Sequence, residues 1–406
     1  MLTTTTIKKG YKQTELGVIP TDWYVKTINE AFNVCNKLRL PISEDARKSM
    51  QGKYPYYGPT KIQDYLNEYR VDGEYALIGE DGDHFLKWGE MPMTQIVYGQ
   101  FNVNNHAHLI SGKNNIALTK WFYYFFQHRD ITQHLSRQGA GRYKLSKSTL
   151  IKIQCVIPST TYEQTAICGV LYDIDELIEQ LEKIISKKKD IKQGMMQQLL
   201  TGKKRLPGFR GKWKMKQLGE IAEMSSGGTP LTSNHSYYGG QIPWVVIADM
   251  TRIKKYLFNT DKSITEAGVA NSSAKLFKKG TLLFAMYASI GKCAIAMVDV
   301  TCNQAILGIS TKNMEIDFLY YHLASNELKF LQMGQTGTQN NLNKEIVRNL
   351  MIPYPSLPEQ AAIATVLSDM DMEIEKIEQR KDKYTKIKQG MMQQLLTGNI
   401  RIYDNK

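Results

Sequence analysis

Two runs of polar and basic side chains carry most of the chemistry in this sequence. Gln138–Lys147 reads QGAGRYKLSK and places Arg, Lys and Tyr among glycines, whereas Gln335–Lys344 reads QTGTQNNLNK and consists mostly of amides and hydroxyls. Arg and Lys bind phosphates or the O6 and N7 atoms of guanine, and Asn is the usual partner of adenine in a major groove. Both runs therefore favour contact with a nucleic acid.

Shorter polar loops add the same residue types at Tyr56–Lys61, Asn102–His108, Ser225–Pro230 and Tyr287–Lys292. A single Gly- and Asn-rich loop is more often an ordinary surface turn, but recurrence at matched places in two halves favours recognition. The predicted DNA contacts of the first half are Tyr57, Lys61, Asn104, Asn105, His106, Gln138, Arg142, Tyr143, Lys144 and Lys147. Those of the second half are Ser226, Thr229, Tyr287, Ser289, Lys292, Thr338, Gln339, Asn340, Asn341 and Lys344.

Motifs for catalysis and for cofactor binding are incomplete. Gly291–Cys293 has the Gly-Lys pair of a phosphate-binding loop but not its upstream Gly or its Ser/Thr, and Gly139–Gly141 starts a dinucleotide fingerprint that lacks its third Gly. His106 and His108 have no third ligand near them in sequence, and Glu80–Asp83 is typical of an acidic turn. We therefore expect no active site, metal site or cofactor site in this chain.

The element that must position these loops is a long repeated segment. Ile191–Gly202 (IKQGMMQQLLTG) returns without a substitution as Ile387–Gly398, and the ungapped match extends back to Glu163 and Glu359 with 24 of 40 positions identical. The two copies lie 196 residues apart, which is too long a period for a solenoid of short repeats. The sequence is therefore two similar halves in tandem.

Each copy of the repeat predicts a long amphipathic helix. Apolar residues recur at steps of three and four, close to heptad spacing, and Gly202 and Gly398 supply the stop signals. We expect the two helices to pack on each other as an antiparallel coiled coil. If about 25–35 residues of each are helical, the pair is about 40–50 Å long and can set a distance.

The halves between the helices predict α/β (α+β) domains with many loops. A turn, a Trp and a short strand open each half at Gly17–Ile28 and Pro207–Leu218, and helices are expected over Leu118–Leu135 and Asp317–Met333. The predicted divisions are an N-terminal segment 1–16, a first recognition domain 17–158, a first helix 159–202, a second recognition domain 203–355, and a second helix with a tail 356–406. The fold class is two tandem globular domains separated by two long helices, with pseudo-twofold symmetry.

Composition favours a nucleic-acid partner. The 406 residues carry a formal net charge of +13, which suits a polyanion, DNA or RNA before a membrane surface. The five cysteines are scattered, form no CxxC pair and suit a reducing cytoplasm. No run of 18 uncharged apolar residues is present, so we expect neither secretion nor membrane insertion.

These motifs together resemble the specificity subunits of type I restriction-modification systems over essentially the whole chain. The similarity rests on the repeated IKQGMMQQLLTG and on two helix starts that each follow an Ile-Pro pair with Glu-Gln. The second half also matches that family's landmarks at Gly227–Pro230, Ile242–Trp244, Asp249-Met250, Ser289–Lys292 and Asn303–Ala305. The first half differs, with Tyr54–Gly58 and Asn105–His108 at the corresponding places, so the two domains are expected to read different sequences.

The resemblance implies a non-catalytic, cytoplasmic subunit that recognises a split, asymmetric site in double-stranded DNA. It implies two methyltransferase subunits as partners, with restriction (motor-nuclease) subunits joining them, and it assigns S-adenosylmethionine, Mg²⁺ and ATP to those partners. Because the apolar ends of the repeats exceed what two packed helices need, we expect part of them to bind the partner subunits. The predicted partner-binding residues are Met195, Met196, Leu199, Leu200, Met391, Met392, Leu395 and Leu396.

Two other readings remain open from the sequence. In the first reading, the chain is a self-sufficient DNA methyltransferase or nuclease whose catalytic residues follow no known motif. In the second reading, it is a coiled-coil scaffold whose basic charge is incidental. Binding of S-adenosylmethionine or metal-dependent nicking by the purified chain would favour the first. Failure to bind any duplex, even with partner subunits present, would favour the second.

Overall fold

The computed structural model of the protein describes residues 7–138, 142–335 and 341–402. The chain forms two compact units: unit 1 comprises the residues up to Glu182 and those from Gln379, and unit 2 is Lys183–Glu378. Both boundaries fall inside long helices, Thr161–Leu199 and Leu357–Leu395. Each long helix is divided between the units, because its two halves pack on different domain cores.

The described residues of unit 1 form two four-stranded sheets and three strand pairs. The first sheet has the order Ile62–Leu66, Gln51–Tyr57, Gln100–Val103, Val71–Asp72. The second is antiparallel with the order Phe32–Val34, Ala107–Gly112, Tyr75–Gly79, Thr94–Val97. The pairs are Tyr11–Thr14 with Gly17–Pro20, Tyr24–Thr27 with Gln154–Ile157, and Ser136–Gln138 with Arg142–Lys144.

In unit 2, outside residues 336–340, the strands form a five-stranded sheet, a three-stranded sheet and one strand pair. The five-stranded sheet has the order Ala222–Ser226, Ile306–Thr311, Leu282–Ala285, Cys293–Ala296, Tyr256–Leu257. The smaller sheet has the order Ser263–Ile264, Tyr238–Val245, Thr301–Cys302. Lys214–Gln217 pairs with Met351–Tyr354, as Tyr24–Thr27 pairs with Gln154–Ile157 in unit 1, so the predicted strand after each Trp is confirmed.

The domain helices are short, and both of the expected longer ones are interrupted. Thr119–Phe126 ends before a turn in which the Asp130 carboxylate accepts hydrogen bonds from Thr132. Ile316–Ser325 is separated from Glu327–Gln335 at Asn326. The other α-helices of unit 1 are Ile28–Ala31, Glu44–Lys48 and Lys147–Leu150. Those of unit 2 are Leu218–Ile221, Ile247–Arg252, Glu266–Ala270 and Lys344–Arg348. Single 3₁₀ turns lie at Asn36–Leu38, Asp83–Lys87, Thr132–His134 and His235–Tyr237.

The half-helices run antiparallel within each unit. In unit 2, Lys188 contacts Glu373 at 2.6 Å and Lys192 contacts Asp371. Residue numbers therefore rise along one helix while those of the contacting residues fall along the other. In unit 1, Asp175 contacts Lys388 at 2.6 Å and Glu182 contacts Lys381 at 3.5 Å, with the same sense. The antiparallel pairing expected from the repeat is therefore confirmed.

The apolar ends of the repeats lie in the domain cores. Met196, Leu199 and Leu200 pack with Phe284 and Phe318 of unit 2, and Met195 is half-buried against the same cluster. Met392, Leu395 and Leu396 pack with Trp23 of unit 1, with Met391 half-buried beside them. These side chains fill the chain's own cores and have little surface to offer a partner, which corrects the partner-binding prediction for Met195, Met196, Leu199, Leu200, Met391, Met392, Leu395 and Leu396.

A buried carboxylate holds the start of the first long helix. Glu163 accepts a hydrogen bond from the indole N–H of Trp23 (3.0 Å), and the Arg401 guanidinium donates to both of its oxygens at 2.7 and 2.8 Å. Arg401 also donates to both oxygens of Asp22 at 2.7 and 2.9 Å. The residues that follow the second long helix therefore fix the first one to the domain of unit 1.

The same arrangement recurs at the start of the second long helix. Glu359 is buried, accepts from the indole N–H of Trp213 (3.1 Å) and is bound through both oxygens by Arg205 at 2.5 and 2.6 Å. Gly202 and Gly398, three residues before each Arg, adopt φ of +70° and +74°. A Cβ at Gly398 would lie 2.5 Å from Pro20, so both the backbone conformation and the close approach require glycine there.

The Arg401–Asp22 contact predicts a specific acid sensitivity. The hydrogen bonds from Arg401 lower the pKa of Asp22 below its ordinary value of 3.8. The contact therefore stabilises the fold above that value, and the contribution is lost as the pH falls through the lowered pKa. We expect Asp22→Asn to reduce stability at neutral pH and to lose less stability than the wild type between about pH 5 and pH 3 in chemical denaturation. Asp45→Asn, at an exposed pair with Lys48, is the control and should follow the wild-type profile; equal profiles for all three proteins would contradict the assignment.

Candidate nucleic-acid interface

Three polar loops of unit 2 meet at one end of its five-stranded sheet. The N–H of Gly227 donates to Ile306 (3.1 Å), that of Gly228 to Cys302 (2.8 Å), and that of Met286 to Ala305 (2.9 Å). These bonds place Ser226–Thr229, Met286–Lys292 and Asn303–Ala305 side by side. The loops lie far apart in sequence, and the strand order brings them to one edge.

Glycine is required where two of these loops touch. A Cβ at Gly227 would lie 2.1 Å from the carbonyl oxygen of Cys302, and one at Gly228 would lie 2.4 Å from the backbone nitrogen of Ala274. The carbonyl of Gly228 in turn accepts the indole N–H of Trp244 at 3.2 Å. This close packing fixes the direction in which Thr229 leaves the loop.

The predicted contacts of unit 2 differ in how available they are. Tyr287 is exposed, Ser226 and Ser289 are half-buried, and the Thr229 hydroxyl donates to the Gln304 amide oxygen at 2.5 Å. Lys292 is paired with Glu327 at 3.1 Å, so its charge is already compensated within the protein. Asn341 is half-buried and Lys344 is exposed. Thr338, Gln339 and Asn340 lie outside the described residues.

The loops of unit 1 meet on the same plan. The N–H of Glu80 donates to His106 (2.7 Å), that of Asn104 to Tyr57 (3.0 Å), and that of Leu145 to Glu80 (2.7 Å). Asn104 and Asn303 occupy matching places, because each accepts a hydrogen bond on its side-chain oxygen from the N–H two residues on. The matched positions expected from the sequence are therefore brought together in each unit.

Two polar residues of the Asn102–His108 run have structural roles. Asn104 is buried, with its amide N–H donated to Gln63 at 2.9 Å. His108 is also buried and lies 2.7 Å from the carbonyl of Leu145; burial lowers its pKa, so the ring stays neutral. Asn104 therefore has no free group for a base, and we leave it out of the proposed contacts.

The exposed part of this edge centres on His106 and Asn105. The His106 ring lies 2.8 Å from the Asp81 carboxylate, and both side chains reach the surface. Asn105 is exposed, and its carbonyl accepts from Arg39 at 2.9 Å. The side-chain amide of Asn105 and the outer ring nitrogen of His106 are thus presented to solvent.

The cations of unit 1 fall into a paired and an unpaired group. Lys144 lies 3.7 Å from Glu80, whereas Lys61, Arg142 and Lys147 are exposed and form no ion pair within the described ranges. Tyr143 is half-buried and accepts a hydrogen bond from Arg137 at 2.6 Å. The Tyr57 side chain is half-buried, and burial raises its pKa, so it stays a hydrogen-bond donor. Gln138 is the last residue of the strand Ser136–Gln138. Its side chain and residues 139–141 lie outside the part of the chain that the structure describes.

Four functional candidates were missed by sequence reasoning. Arg39 and Glu80 form an ion pair at 2.5 Å that supports the edge of unit 1, and Asp81 orients His106. Gln304 is exposed and holds Thr229 in unit 2. Because Asn104 and Asn303 occupy matching places, Gln304 is the counterpart of Asn105.

A Lys–Asp–Tyr triad joins the helices to the domain in unit 2. Lys192 of the first helix contacts Asp371 of the second, and the Tyr321 hydroxyl of the domain donates to the same carboxylate at 2.7 Å. The Lys192 ammonium also lies 5.4 Å from the centre of the Tyr321 ring. Buried Lys255 adds hydrogen bonds to Tyr321 (3.0 Å) and Ser368 (2.8 Å).

The triad is repeated in unit 1 with the two copies of the repeat exchanged. Lys388 of the second helix contacts Asp175 of the first at 2.6 Å, and Tyr124 of the domain donates to Asp175 at 3.1 Å. Burial and the nearby Asp175 carboxylate raise the pKa of Tyr124, so the phenol remains a donor. Lys388 is buried and also donates to Gln127 at 2.8 Å. Each triad fixes one helix register to one recognition domain.

The described ranges contain no group of three His, Cys, Asp or Glu side chains placed to hold a metal ion. All five cysteines are free thiols, four of them buried. No helix in the same ranges has the length and apolarity that crossing a membrane requires.

Comparison with known proteins identifies similar chains. The sequence matches the family described as "Type I restriction modification DNA specificity domain" twice, over residues 20–190 and 210–386. It is 35% identical over 181 residues to the MjaIX specificity subunit of Methanocaldococcus jannaschii, a match that covers 43% of this chain and 41% of that protein. It is 23% identical to the putative MjaX specificity subunit of the same organism, over 97% of each chain.

The fold is similar to that of a solved type I restriction-modification S subunit from M. genitalium. That structure has a TM-score of 0.64 and 16% identity, and the match covers 92% of this chain and 96% of the other. A second structure, from a study of complex assembly and conformational transition of the type I system, has a TM-score of 0.53, with 94% and 99% covered. Both likenesses confirm the fold class predicted from the repeat.

The triads predict strong coupling between buried Lys388 and Asp175. Lys388→Met leaves the partly exposed Asp175 carboxylate without its cation and should cost about 2 kcal/mol of unfolding free energy, between the values for surface and buried pairs, measured by denaturant titration. Adding Asp175→Asn should recover about half of that loss, because the remaining groups are neutral. Lys381→Met and Glu182→Gln remove an exposed pair on the same two helices and should each change stability by less than about 1 kcal/mol. Additive effects of Lys388→Met and Asp175→Asn would show that the buried pair does not set the register.

Proposed function

The chain belongs to the family of type I restriction-modification DNA specificity domains, and from this premise we propose how it works. Unit 1 and unit 2 each read one half of a split, asymmetric site in double-stranded DNA. The chain contributes no catalytic residue, and S-adenosylmethionine, Mg²⁺ and ATP are bound by the partner methyltransferase and restriction subunits. The assembly works in the cytoplasm, where the five free cysteines remain reduced.

One observation carries this proposal: the two units share a frame but differ at the edge that would meet DNA. The Arg–Glu–Trp contacts and the Lys–Asp–Tyr triads recur residue for residue. At the sheet edge, unit 1 presents Asn105 and His106, whereas unit 2 presents Tyr287 and Gln304. A common frame with different exposed donors and acceptors is what reading two unlike half-sites requires, since base edges are distinguished by their hydrogen-bonding pattern.

The partner subunits need a surface that occurs twice. Within the identical dodecamers, the buried residues serve the cores, but Ile191 and Ile387 are 48% and 39% exposed. Gly194 and Gly390 lie one turn further along, where a Cβ would meet no other described part of the chain within 4 Å. Glycine inside a helix costs about 1 kcal/mol relative to alanine.

Nothing inside the chain therefore explains why both positions keep glycine, and close approach of a partner backbone does. We assign Ile191, Gly194 and Gln198, together with Ile387, Gly390 and Gln394, as two equivalent surfaces for two methyltransferase subunits. In each set the residues stand at i, i+3 and i+7 and so share one helix face. This replaces the buried Met and Leu residues predicted from sequence.

The base-reading assignment predicts a change confined to half of the target. Asn105→Ala with His106→Ala should relax recognition at one half-site, with about 1–3 kcal/mol of discrimination lost for each base contact removed. The measurement is the set of methylated adenines in a genome that expresses the chain with its methyltransferase. Gln304→Ala with Tyr287→Phe is the matched variant of unit 2 and should alter the other half-site only. A single ungapped motif, or both halves changing together, would refute the proposal.

The partner surface predicts graded loss of methyltransferase. Ile191→Asp should lower the co-purified methyltransferase from two subunits to one per chain, and Ile191→Asp with Ile387→Asp should abolish co-purification, because a buried unpaired carboxylate opposes binding. Ile184→Asp is the control, since Ile184 is equally exposed on the same helix but its repeat counterpart is Arg380. Gly194→Ala adds a Cβ that meets no other described part of the chain within 4 Å, so it should weaken binding without unfolding. Unchanged stoichiometry in the double variant would exclude this surface.

A further inference from the structure

Unit 2 carries a dense group of exposed cations away from its loop edge. No acidic residue occurs between Asp190 and Glu220 in the sequence. Within that span and within the described ranges, five exposed basic side chains form no ion pair with a carboxylate. They are Lys203, Lys204, Arg210, Lys212 and Lys214, and we call them the basic track.

The segment that carries the basic track is held in one conformation. The Arg205 guanidinium, which binds Glu359, also donates to the carbonyl of Gly211 at 2.5 Å and lies 5.4 Å from the centre of the Trp213 ring. Gly208 and Gly211 supply turns with φ of +87° and +93°. The chain between them is folded around Arg205, so the cations project from an ordered loop.

The basic track continues toward the edge where the loops meet. Lys214 and Lys216 stand two residues apart on the strand Lys214–Gln217, about 6.8 Å along it, on the same face. Gly219 follows this strand and lies against the Arg348 side chain. Arg348 is one helical turn from Lys344, and the N–H of Leu342 donates to Met286 of the loop edge at 3.1 Å. A connected path of basic side chains therefore runs from the recognition loops to the end of the first helix, with Glu220 and Glu345 as acidic residues beside it.

Within the residues that the structure describes, unit 1 has no equivalent of the basic track. In unit 1, Arg401 is the counterpart of Arg205. The segment that packs against Arg401, residues 7–26, contains Glu15 and Asp22 as well as lysines. Asp22 takes the place of the Gly211 carbonyl at the guanidinium. A feature present on one unit alone does not suit two identical partner subunits, whereas it suits the stretch of duplex that lies beyond one half-site of an asymmetric target.

We propose that the basic track binds the phosphate backbone of duplex DNA that flanks the half-site read by unit 2. This inference rests on the proposed function, because it takes the loop edge as the place where the duplex is read. Uncompensated Lys and Arg side chains on a fixed loop bind phosphates without regard to sequence and release counterions as they do so. The flank then adds affinity and salt dependence but no specificity.

The test uses the complex of the full chain with its methyltransferase and two duplexes that share one target. The first duplex ends at the half-site of unit 2, and the second extends about 20 base pairs, two helical turns, beyond it. The wild type should bind the longer duplex more tightly and with a steeper dependence on salt. A variant with Lys203→Gln, Lys204→Gln, Lys212→Gln and Lys214→Gln should lose that difference, with the slope of log K against log salt falling by about 0.9 for each phosphate contact removed.

The matched control removes the same charge elsewhere on unit 2, with Lys262→Gln, Lys279→Gln, Lys312→Gln and Lys329→Gln, and should keep the preference for the longer duplex. Equal binding of both duplexes by the wild type, with the target still discriminated, would overturn the basic track and leave the proposed function intact. Failure to discriminate the target at all would instead refute the proposed function. Loss of a partner subunit from the track variant with unchanged DNA affinity would also overturn the inference, because the track would then bind an acidic protein surface.

Discussion

A carboxylate removed from water must be met by a cation or by several donors, and this requirement governs how the long helices join the domains. Glu163 and Glu359 sit in the first turn of the two helices, and each is satisfied by an Arg that follows the other helix and by the Trp that opens a domain. Asp175 and Asp371 repeat the principle further along, with a Lys from the opposite helix and a Tyr from the domain. Apolar packing alone would tolerate a shift of one turn along the stripe. These charges do not, because a shift would separate each carboxylate from its cation and would leave Glu163 and Glu359 buried and unpaired.

As a consequence, the residues that attach each domain to the helices differ from the residues exposed at the edge of its sheet. The residues that satisfy the carboxylates recur in both units, so the sheet of each unit is held to the helices in the same way. The loops at the sheet edge do not help to attach the domain to the helices, apart from glycines such as Gly227 that permit close contact. Their exposed side chains can differ between units without disturbing the attachment, as Asn105 and Gln304 do. Specificity and stability are therefore encoded in different residues, which is why unlike half-sites can be read from one frame.

Sequence reasoning recovered the frame better than the edge. The duplicated dodecamer, the Ile-Pro…Glu-Gln helix starts and the glycine stops each signal local structure, and the helices Thr161–Leu199 and Leu357–Leu395 follow from them. The role of the Met and Leu residues at the repeat ends could not be predicted, because a periodic stripe states that a face is buried but not against what. The same limit applies to Asn104, whose amide type suggested a base contact until strand pairing placed it inside. Ion pairs such as Arg39–Glu80 join residues that no local pattern relates, so only the tertiary fold reveals them.

The triads also explain why the two copies of the repeat remain so alike. Each unit takes its Lys from one copy and its Asp from the other, so Lys192 depends on Asp371 while Lys388 depends on Asp175. A change in either copy therefore affects a partner in the other, and both units must keep the same spacing between Asp and Lys along the helix. Residues outside this reciprocity are free to diverge. Ile184 and Arg380 occupy matching positions and differ. Ile191 and Ile387 are identical, although neither fills a core. That identity supports the proposed partner surface, which occurs once in each unit.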